Sequence, residues 1–192
     1  FKSQGNKIAS LRLDSGEELS CDQVLLCSGS WTARMLKKLG IKMLLQDGRG
    51  YSFTLKNPPL RPAIPTILTE AKVAVTPMGK DLRLGGSLEL SNLSTKINPK
   101  RLAGIYESIP TYYPDLSFKT PELSEVWQGY RPCTPDGMPY LDQSREVINL
   151  HIATGHGMMG MSLGPASGKL MSEIMLKEKP SIDTRLFNLD RF

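Results

Sequence analysis

Two apolar segments, each ending in glycine and each followed by a helix-like stretch, most constrain how this chain can fold. The first is "QVLLCSGSW", residues 23–31, and "TARMLKKLG" follows it. The second is "VINLHIATG", residues 147–155, and an amphipathic stretch follows it to Met175. Unbroken apolar runs are typical of strands that are buried on both faces of a parallel sheet. The pattern predicts two strand–glycine–helix units of one α/β layer.

The chain between these units has a different texture. Prolines recur through 41–128, and β-like pieces such as "GYSFTL", "AVTPMG" and "LRLGGSLEL" lie among them. This predicts a mostly antiparallel sheet with long connections, and "EVWQGYRP" adds a strand to it. "NPKRLAGIYESIPTYYP" predicts one helix with Asn98 as its N-cap and Pro99 in the first helical position. Its apolar face is Leu102, Ile105, Tyr106 and Ile109.

Smaller signals complete the predicted order. Apolar positions alternate around a turn at 14–16 and predict an N-terminal hairpin. Ser30 or Thr32 is the predicted cap of the first helix, and Gly40 is its predicted end. The fold class is therefore α/β (α+β), a Rossmann-like nucleotide-binding layer interrupted by a substrate-binding sheet. The predicted segments are 1–45 and 142–192 for the layer and 46–141 for the sheet.

Charge and cysteine content exclude several kinds of function. The chain has 24 Lys and Arg against 19 Asp and Glu, and the excess is scattered, so nucleic-acid binding has little support. Three cysteines without a Cys-x-x-Cys pair and two histidines argue against a zinc site and predict reduced, intracellular thiols. The sequence has no apolar run of about eighteen residues, so we predict no transmembrane segment.

The glycine-rich stretch "TGHGMMG", residues 154–160, is the candidate binding loop. A helix start presents unpaired backbone N–H groups, and glycines let a ligand approach the main chain. Spacing for close helix–strand packing explains the same glycines equally well. The loop is neither a phosphate loop nor a Gly-x-Gly-x-x-Gly fingerprint. Gly164 and Pro165 predict a helix start one turn later, with Glu173 and Lys177 paired on its outer face and Ala166, Leu170 and Ile174 on its inner face.

Several motifs together resemble a known family. "GYRPCTPDGMPYL", then the stretch from "HIATGHGMMG" to "SEIM", and a closing "DRF" resemble the C-terminal half of the D-amino-acid oxidase superfamily of FAD-dependent oxidoreductases. "DSGEELSCDQVLLCSGSWTARMLKKLG" and "GRGYSFTL" match in the same order. Bacterial D-amino acid dehydrogenases and glycine oxidases are the most similar members. The resemblance covers essentially the whole chain, but the family's N-terminal dinucleotide-binding segment is absent, so we expect a C-terminal piece of a longer enzyme.

The resemblance implies a set of FAD-binding residues. Backbone N–H groups of the glycine loop would stabilise charge on the flavin by about 2–4 kcal/mol per well-placed donor. A proton-transfer role for the His156 side chain is the less favoured alternative to a backbone role. We expect FAD to be non-covalently bound, because Gly129 stands where some relatives carry a flavin-linked cysteine, and Cys133 is expected to be a packed thiol. The implied FAD-binding residues are Ser28, Gly29, Trp31, Arg49, Gly50, Gly155, His156, Gly157, Met158, Met159 and Gly160.

Arg131 is the predicted substrate residue, because the family places an arginine here to hold the substrate carboxylate in a two-point hydrogen bond. A structural ion pair with Asp136 or Glu125 is the alternative. Met158 stands where glycine oxidases carry a second arginine, which favours substrates with apolar side chains. Tyrosines 51, 130, 112 and 113 are candidate pocket walls, with ordinary core packing as the alternative for each.

The implied reaction is FAD-dependent oxidative deamination of an amino acid, with hydride passing from Cα to flavin N5. Alternatives are a glycine or sarcosine oxidase, a non-catalytic binding domain, and an inert fragment. No catalytic acid–base residue and no metal are expected. The predicted partners are an amino-acid substrate and an electron acceptor such as a quinone. The predicted location is cytoplasmic, or peripheral to the inner membrane if the acceptor is a quinone.

Overall fold

The computed structural model describes residues 1–90 and 96–192 of the chain, which divide into two compact units. Unit 1 comprises residues 1–46 and 131–192, and unit 2 comprises residues 47–130. The inserted unit therefore ends at Tyr130, whereas the predicted boundary was 141. The difference arises because Tyr140 and Leu141 belong to a strand that pairs with the last strand of unit 1.

The described residues form these elements. The strands are β1 (Lys2–Gln4), β2 (Lys7–Arg12), β3 (Glu18–Ser20), β4 (Val24–Leu26), β5 (Gln46–Leu55), β6 (Thr66–Leu68), β7 (Val73–Met78), β8 (Asp81–Leu90), β9 (Trp127–Cys133), β10 (Tyr140–Gln143) and β11 (Leu150–Thr154). The α-helices are α1 (Thr32–Lys37), α2 (Pro99–Tyr106), α3 (Ile109–Tyr112) and α4 (Gly160–Met175), and 3-10 turns lie at Gly29–Trp31, Leu123–Glu125 and Arg185–Phe187.

The central sheet of unit 1 has the strand order β10-β11-β4. β11 and β4 are parallel, with Leu150 opposite Val24 and Ile152 opposite Leu26, so the predicted parallel pairing is confirmed. The prediction of burial on both faces is wrong for β4. Leu25 is 40% exposed, whereas Val24 and Leu26, on the other face of β4, are buried.

The two faces of this sheet pack against different elements. Leu150 and Ile152 join a core with Ile8 and Leu36, which brings in α1 and the N-terminal sheet β1-β2-β3. The β2–β3 pair of this sheet is the predicted hairpin around residues 14–16. On the opposite face Leu141 packs against Leu170 and Met171 of α4. Full burial of each such side chain contributes about 1.5–3 kcal/mol, which fixes α4 over the ends of β10 and β11.

α1 begins differently from the prediction and ends as predicted. Its N-cap is Trp31, with no side-chain cap bond, so capping by Ser30 or Thr32 is wrong. The preceding 3-10 turn carries the chain directly into the helix. Gly40 lies in the left-handed region, and the amide of Ile41 donates to the carbonyl of Leu36 at 3.1 Å, which closes the helix end.

Unit 2 is built on a sheet of order β6-β7-β8-β5-β9, in which the pairs β6–β7, β7–β8 and β8–β5 are antiparallel. Phe53, Leu84 and Val75 share one face, which packs against α2 and α3. Ser52 and Gly85 share the opposite face. The predicted antiparallel insertion is therefore confirmed, and its core lies on one side of the sheet.

The predicted single helix after Asn98 is two helices, α2 and α3. The Asn98 side chain caps α2 as predicted, accepting from the amide of Lys100 at 3.1 Å. The helix ends at Tyr106, four residues before Pro110, because proline lacks the N–H that would donate to the Tyr106 carbonyl and its ring clashes with that carbonyl. Leu102, Ile105 and Ile109 are buried as predicted.

The last helix also departs from the prediction. α4 begins at Gly160, and Pro165 lies inside it, so a start at Gly164 is wrong. Pro165 has no N–H to donate to the carbonyl four residues before it, that of Met161. The residues around this carbonyl are exposed, so water can reach it. Ser167, Leu170 and Met171 form the buried face, whereas Ala166 is exposed. Glu173 is buried and pairs with Lys169 at 2.9 Å, not with Lys177.

Candidate functional site

The candidate site of unit 1 lies at the carboxyl ends of the two parallel strands β4 and β11. The Thr154 hydroxyl, at the end of β11, donates to the carbonyl of Gly29 at 3.1 Å. The two glycine turns that follow these strands are thereby joined. Ligands of open α/β sheets bind in the crevice outside the carboxyl ends of the strands. The predicted cofactor residues 28–31 and 155–160 thus share one region of unit 1.

Position 155 requires glycine because of its backbone conformation and because of a close neighbour. Its φ is +86°, and an added Cβ would lie 2.6 Å from Cγ2 of Thr134. The glycine therefore serves close packing here, as the alternative interpretation of the loop proposed. At Gly157 and Gly29 an added Cβ would meet no atom within 4 Å, so the main chain borders open space at both.

Two loop amides are engaged by carbonyls of the chain itself. The Gly157 amide donates to the carbonyl of Pro132 at 2.9 Å, and the Met159 amide donates to that of His156 at 2.9 Å. Helical geometry leaves the first N–H groups of α4, from Gly160 onward, without an intrahelical acceptor. The first turn of α4 is thus the source of backbone donors for a ligand.

The His156 side chain turns back onto α4. Its Nε2 lies 2.8 Å from the Ser167 hydroxyl, and burial lowers the pKa of the imidazole. The ring is therefore neutral at pH 7 and engaged within the protein. This geometry agrees with a backbone role for His156 rather than proton transfer. Ser167 was not predicted as a site residue, because on the sequence it is one small residue among several on a helix.

Arg131 lies in β9, directly before the residues that contact the glycine loop. Pro132 accepts from Gly157, and Cys133 forms an isolated antiparallel bridge with His156. The Cys133 thiol donates to the carbonyl of Arg131 at 3.4 Å, as expected for a packed thiol. The main chain that carries Arg131 is thus bonded directly to the loop.

The two acidic residues weighed as partners of Arg131 have other contacts. Arg191 holds both oxygens of Asp136, with Nε–Oδ2 at 2.8 Å and Nη2–Oδ1 at 3.1 Å. This contact lowers the pKa of Asp136 to about 2. Glu125 accepts from the backbone amide of Glu122 at 3.0 Å. Arg191 belongs to the closing "DRF" and anchors the C-terminal segment.

Unit 2 brings two predicted site residues, Arg49 and Tyr51, together around the carboxylate of Glu89, which no sequence pattern singled out. Glu89 accepts from the Tyr51 hydroxyl at 2.7 Å and from Arg49 Nη2 at 2.9 Å. Burial alone would lower the pKa of Arg49, but Glu89, Tyr51 and Tyr130 raise it. The Tyr51 hydrogen bond, followed by those from Asn98 and Arg49, lowers the pKa of Glu89.

This cluster explains why Arg49 can be buried. The guanidinium also donates to the carbonyl of Lys96 at 2.6 Å, and burying a charge requires such compensation. Arg49 and Gly50 lie within β5, where Arg49 pairs with Glu89 and Tyr51 pairs with Gly86, so that β8 carries one extra residue, a β-bulge, opposite Gly50. A bulge redirects neighbouring side chains and is common beside binding sites.

The remaining predicted residues differ in exposure. Trp31 is 52% exposed, Met158 is 73% exposed and Met159 is 55% exposed. The Ser28 hydroxyl lies 3.1 Å from that of Thr32. In unit 2, Tyr112 is 38% exposed. The Tyr113 hydroxyl lies 2.8 Å from that of Thr66, and Tyr113 packs against the core cluster that contains Tyr51, as its core-packing alternative predicted.

Metal-binding clusters and membrane-spanning helices are absent from the part of the chain that the structure describes. Within residues 1–90 and 96–192, no group of three or more His, Cys, Asp and Glu side chains is arranged to hold a metal ion. No helix in the same ranges combines the length and apolar character that crossing a bilayer requires.

Comparisons with known proteins give the family. The model of the family described as FAD dependent oxidoreductase (DAO) matches residues 1–174, and the chain belongs to this family. The resemblance stated from the sequence motifs is confirmed. Members of this family are FAD-dependent oxidoreductases, so the class defined by the fold and the glycine turns is a flavin-dependent one.

The curated relatives that the chain resembles are named D-amino acid dehydrogenases. The chain is 34% identical over 182 residues to a D-amino acid dehydrogenase of Bradyrhizobium diazoefficiens, covering 91% of this chain and 41% of that protein. It is 35% identical over 192 residues to the D-amino acid dehydrogenase of Rhizorhabdus wittichii, covering 98% of this chain and 45% of that protein. The chain thus spans less than half the length of these relatives.

Solved structures confirm the fold. Glycine oxidase from Geobacillus kaustophilus superposes with a TM-score of 0.81 at 22% identity, covering 95% of this chain and 49% of that one. Iminodiacetate oxidase from Chelativorans sp. BNC1 superposes with a TM-score of 0.79 at 17% identity, covering 94% and 52%. At these identities the likeness shows the fold alone.

The residues of unit 1 fit a flat group with an anionic edge. Open space borders Gly29 and Gly157, and the first turn of α4 offers backbone donors beside them. Ser30, in the same 3-10 turn as Gly29, is buried, and its hydroxyl has no hydrogen-bond partner within the described ranges. Buried hydroxyls are usually hydrogen-bonded, so this one marks a place for a ligand or ordered water.

Proposed function

We propose that the complete protein catalyses FAD-dependent oxidative deamination of an amino acid, in the manner of a D-amino acid dehydrogenase. The proposal draws on the family and on the dehydrogenases to which the chain is similar. FAD, when bound, would supply the hydride acceptor for oxidation of the substrate at Cα to an imine, which water would hydrolyse to a 2-oxo acid and ammonia. The chain's own residues bind, orient and shield the reactants.

FAD contacts are assigned to the two glycine turns. Ser28, Gly29 and Trp31 approach the cofactor from the end of β4. The loop 155–160 approaches it from the end of β11. Backbone donors at the start of α4 stabilise negative charge on the ring, as fixed dipoles do in an oxyanion hole. Because Gly157 and Met159 donate elsewhere, Gly160 and its helical successors take this role.

Substrate binding is assigned to Arg131. A guanidinium offers two parallel hydrogen bonds to a carboxylate, which gives orientation as well as affinity. Tyr130, the neighbour of Arg131 in β9, and Tyr51, whose hydroxyl is held by Glu89, are also assigned to substrate binding. Met158, unbranched and exposed in the described structure, is assigned to contact with the substrate side chain and favours apolar substrates.

One observation carries the proposal: residues 132 and 133, which follow Arg131, are bonded to the glycine loop of the same unit. A carboxylate-binding group and a flavin-binding loop are thus joined by main-chain contacts. Positioning of this kind is a major source of catalysis where no acid–base side chain is required.

The test uses the complete gene product. Purified protein should show flavin absorbance and should reduce an artificial electron acceptor with D-amino acids. Arg131→Ala should raise KM at least about tenfold, because a charged hydrogen bond contributes about 1.5–3 kcal/mol, and should leave the flavin content unchanged. Arg145→Ala, an exposed arginine of the same unit that pairs with Asp190, is the matched control.

Three results would contradict the proposal in different ways. Colourless protein that binds no added FAD would exclude a flavoenzyme and leave a non-catalytic domain. Turnover of glycine or sarcosine in preference to larger D-amino acids would favour the oxidase-type alternative. An unchanged KM in Arg131→Ala would remove that residue from substrate binding while leaving the cofactor assignment intact.

A further inference from the structure

We propose that Ser167 is a positioning residue for the flavin loop and acts through His156. The inference rests on the proposed function. The Ser167 hydroxyl lies on the buried face of α4, 2.8 Å from His156 Nε2. His156 is the loop residue whose side chain turns inward, whereas Met158 and Met159 are largely exposed. The hydrogen bond therefore ties the middle of the loop to the helix that follows it.

The direction of the Ser167 hydroxyl is unusual for a helical serine. Such hydroxyls commonly donate to a carbonyl of the preceding turn of their own helix. Ser172, also in α4, does so, donating to the carbonyl of Lys169 at 2.7 Å. Ser167 instead contacts a residue eleven positions earlier, outside the helix. Its hydrogen bond therefore belongs to the loop and not to the helix.

The pair is chemically matched. Burial lowers the pKa of His156, so the imidazole is neutral and has one donor and one acceptor nitrogen. A serine hydroxyl donates and accepts, so it satisfies Nε2 in either tautomer. Removal of the hydroxyl would leave Nε2 of a half-buried ring without this partner and free the ring to rotate.

The hydrogen bond between His156 and Ser167 affects the ligand through the geometry of the loop. On one side the loop is held through Gly157 and Pro132, and on the other through His156 and Ser167. Loss of the second contact leaves the segment that leads into Gly160 less ordered. The backbone donors at the start of α4 are then less well preorganised for negative charge on the reduced flavin.

The experiment compares three variants of the complete protein. Ser167→Ala should weaken FAD binding at least about fivefold, the equivalent of about 1 kcal/mol, measured by fluorescence titration of the apoprotein. It should also lower the midpoint potential of the bound flavin. Ser167→Thr should restore both values, because a cavity of about 210 Å³ beside Ser167 accommodates a methyl group. Ser172→Ala should leave both unchanged.

Other results would overturn the inference. A Ser167→Ala protein that loses thermal stability but keeps the wild-type FAD affinity and potential would show a purely structural role. Equal losses in Ser167→Thr and Ser167→Ala would show that the hydroxyl is not the cause. Should Ser167→Ala fail to fold, Ser167→Cys replaces it, with a weaker donor of similar size. A wild-type protein that binds no FAD would instead refute the proposed function, on which this inference rests.

Discussion

Replacement of Arg191 tests the structure of unit 1 without reference to any ligand. The guanidinium makes a two-point contact with Asp136, donates to the carbonyl of Met138 at 2.6 Å and lies 3.8 Å from the ring centre of Tyr140. Charge-assisted hydrogen bonds contribute about 1.5–3 kcal/mol, and a desolvated cation–π contact adds about 1 kcal/mol. We expect Arg191→Ala to lower the free energy of unfolding by about 3 kcal/mol at pH 7.

The same contact predicts the pH dependence. The pKa of Asp136 falls from 3.8 to about 2, which at full value corresponds to about 2 kcal/mol. Because a third of this side chain is exposed, solvent screening reduces the contribution to about 1 kcal/mol. A lowered carboxylate pKa stabilises the folded state above pH 4, and this stabilisation is lost as the pH falls from about 4 to about 2. The difference in free energy of unfolding between wild type and Arg191→Ala should therefore be about 1 kcal/mol smaller at pH 2.5 than at pH 7.

The assay is urea unfolding followed by tryptophan fluorescence. In a Trp127→Phe background, Trp31 reports on unit 1, to which Arg191 also belongs. Arg185 provides a matched control, because its contact also lowers the pKa of Asp183 to about 2, but both side chains are exposed. Arg185→Ala should cause no measurable change. Equal effects of the two variants, or an unchanged stability of Arg191→Ala at pH 7, would refute the reasoning.

Two further predictions concern packing in each unit. Gly155→Ala should lower the free energy of unfolding by about 2–4 kcal/mol, because a positive φ and a clash with Thr134 combine. At Gly157 an added Cβ meets open space, so Gly157→Ala should lower it by only about 1 kcal/mol. Thermal unfolding of the two variants checks this difference. Glu89→Gln should lower the free energy of unfolding of unit 2 by about 3–5 kcal/mol, because Arg49 would then be buried without its countercharge. An unchanged urea unfolding curve, followed by Trp127 fluorescence, would contradict this.

Local patterns were enough to predict the main architecture. Apolar runs that end in glycine predicted the parallel pair β4 and β11, because strands buried in an α/β layer have no polar alternation. Asn98 predicted a helix start because its side chain satisfies an orphan amide of the first turn. These signals lie within a few residues of the structure they specify.

Local rules failed where neighbouring contacts outweighed them. Pro165 is a reasonable first residue of a helix, yet α4 begins at Gly160, directly after the turn in which the Met159 amide donates to the His156 carbonyl. Glu173 and Lys177 have the spacing of an ion pair, but the helix ends at Met175 and Lys177 adopts a positive φ. Glu173 then pairs with Lys169 and accepts from the amide of Ser181.

The polar clusters of the candidate site could not be predicted, because their members are distant along the chain. Arg49 and Glu89 are 40 residues apart, and Asp136 and Arg191 are 55 apart. Neither carboxylate stands in a pattern that separates it from the other acidic residues of the chain. Pairings of this kind depend on strand register and on the path of the C-terminal segment, which only the folded chain specifies.

The contact between β9 and the glycine loop has a consequence for how the site can vary. Its hydrogen bond joins the Gly157 amide to the Pro132 carbonyl, so it is made by main-chain atoms alone. Substitution of Arg131 or Met158 changes the side chain offered to a ligand without removing this bond. The bond needs only the backbone path, which is constrained at Pro132 by its fixed φ and at Gly155 by packing against Thr134. Side chains at the candidate substrate positions are therefore free to change specificity while the frame that positions them stays constant.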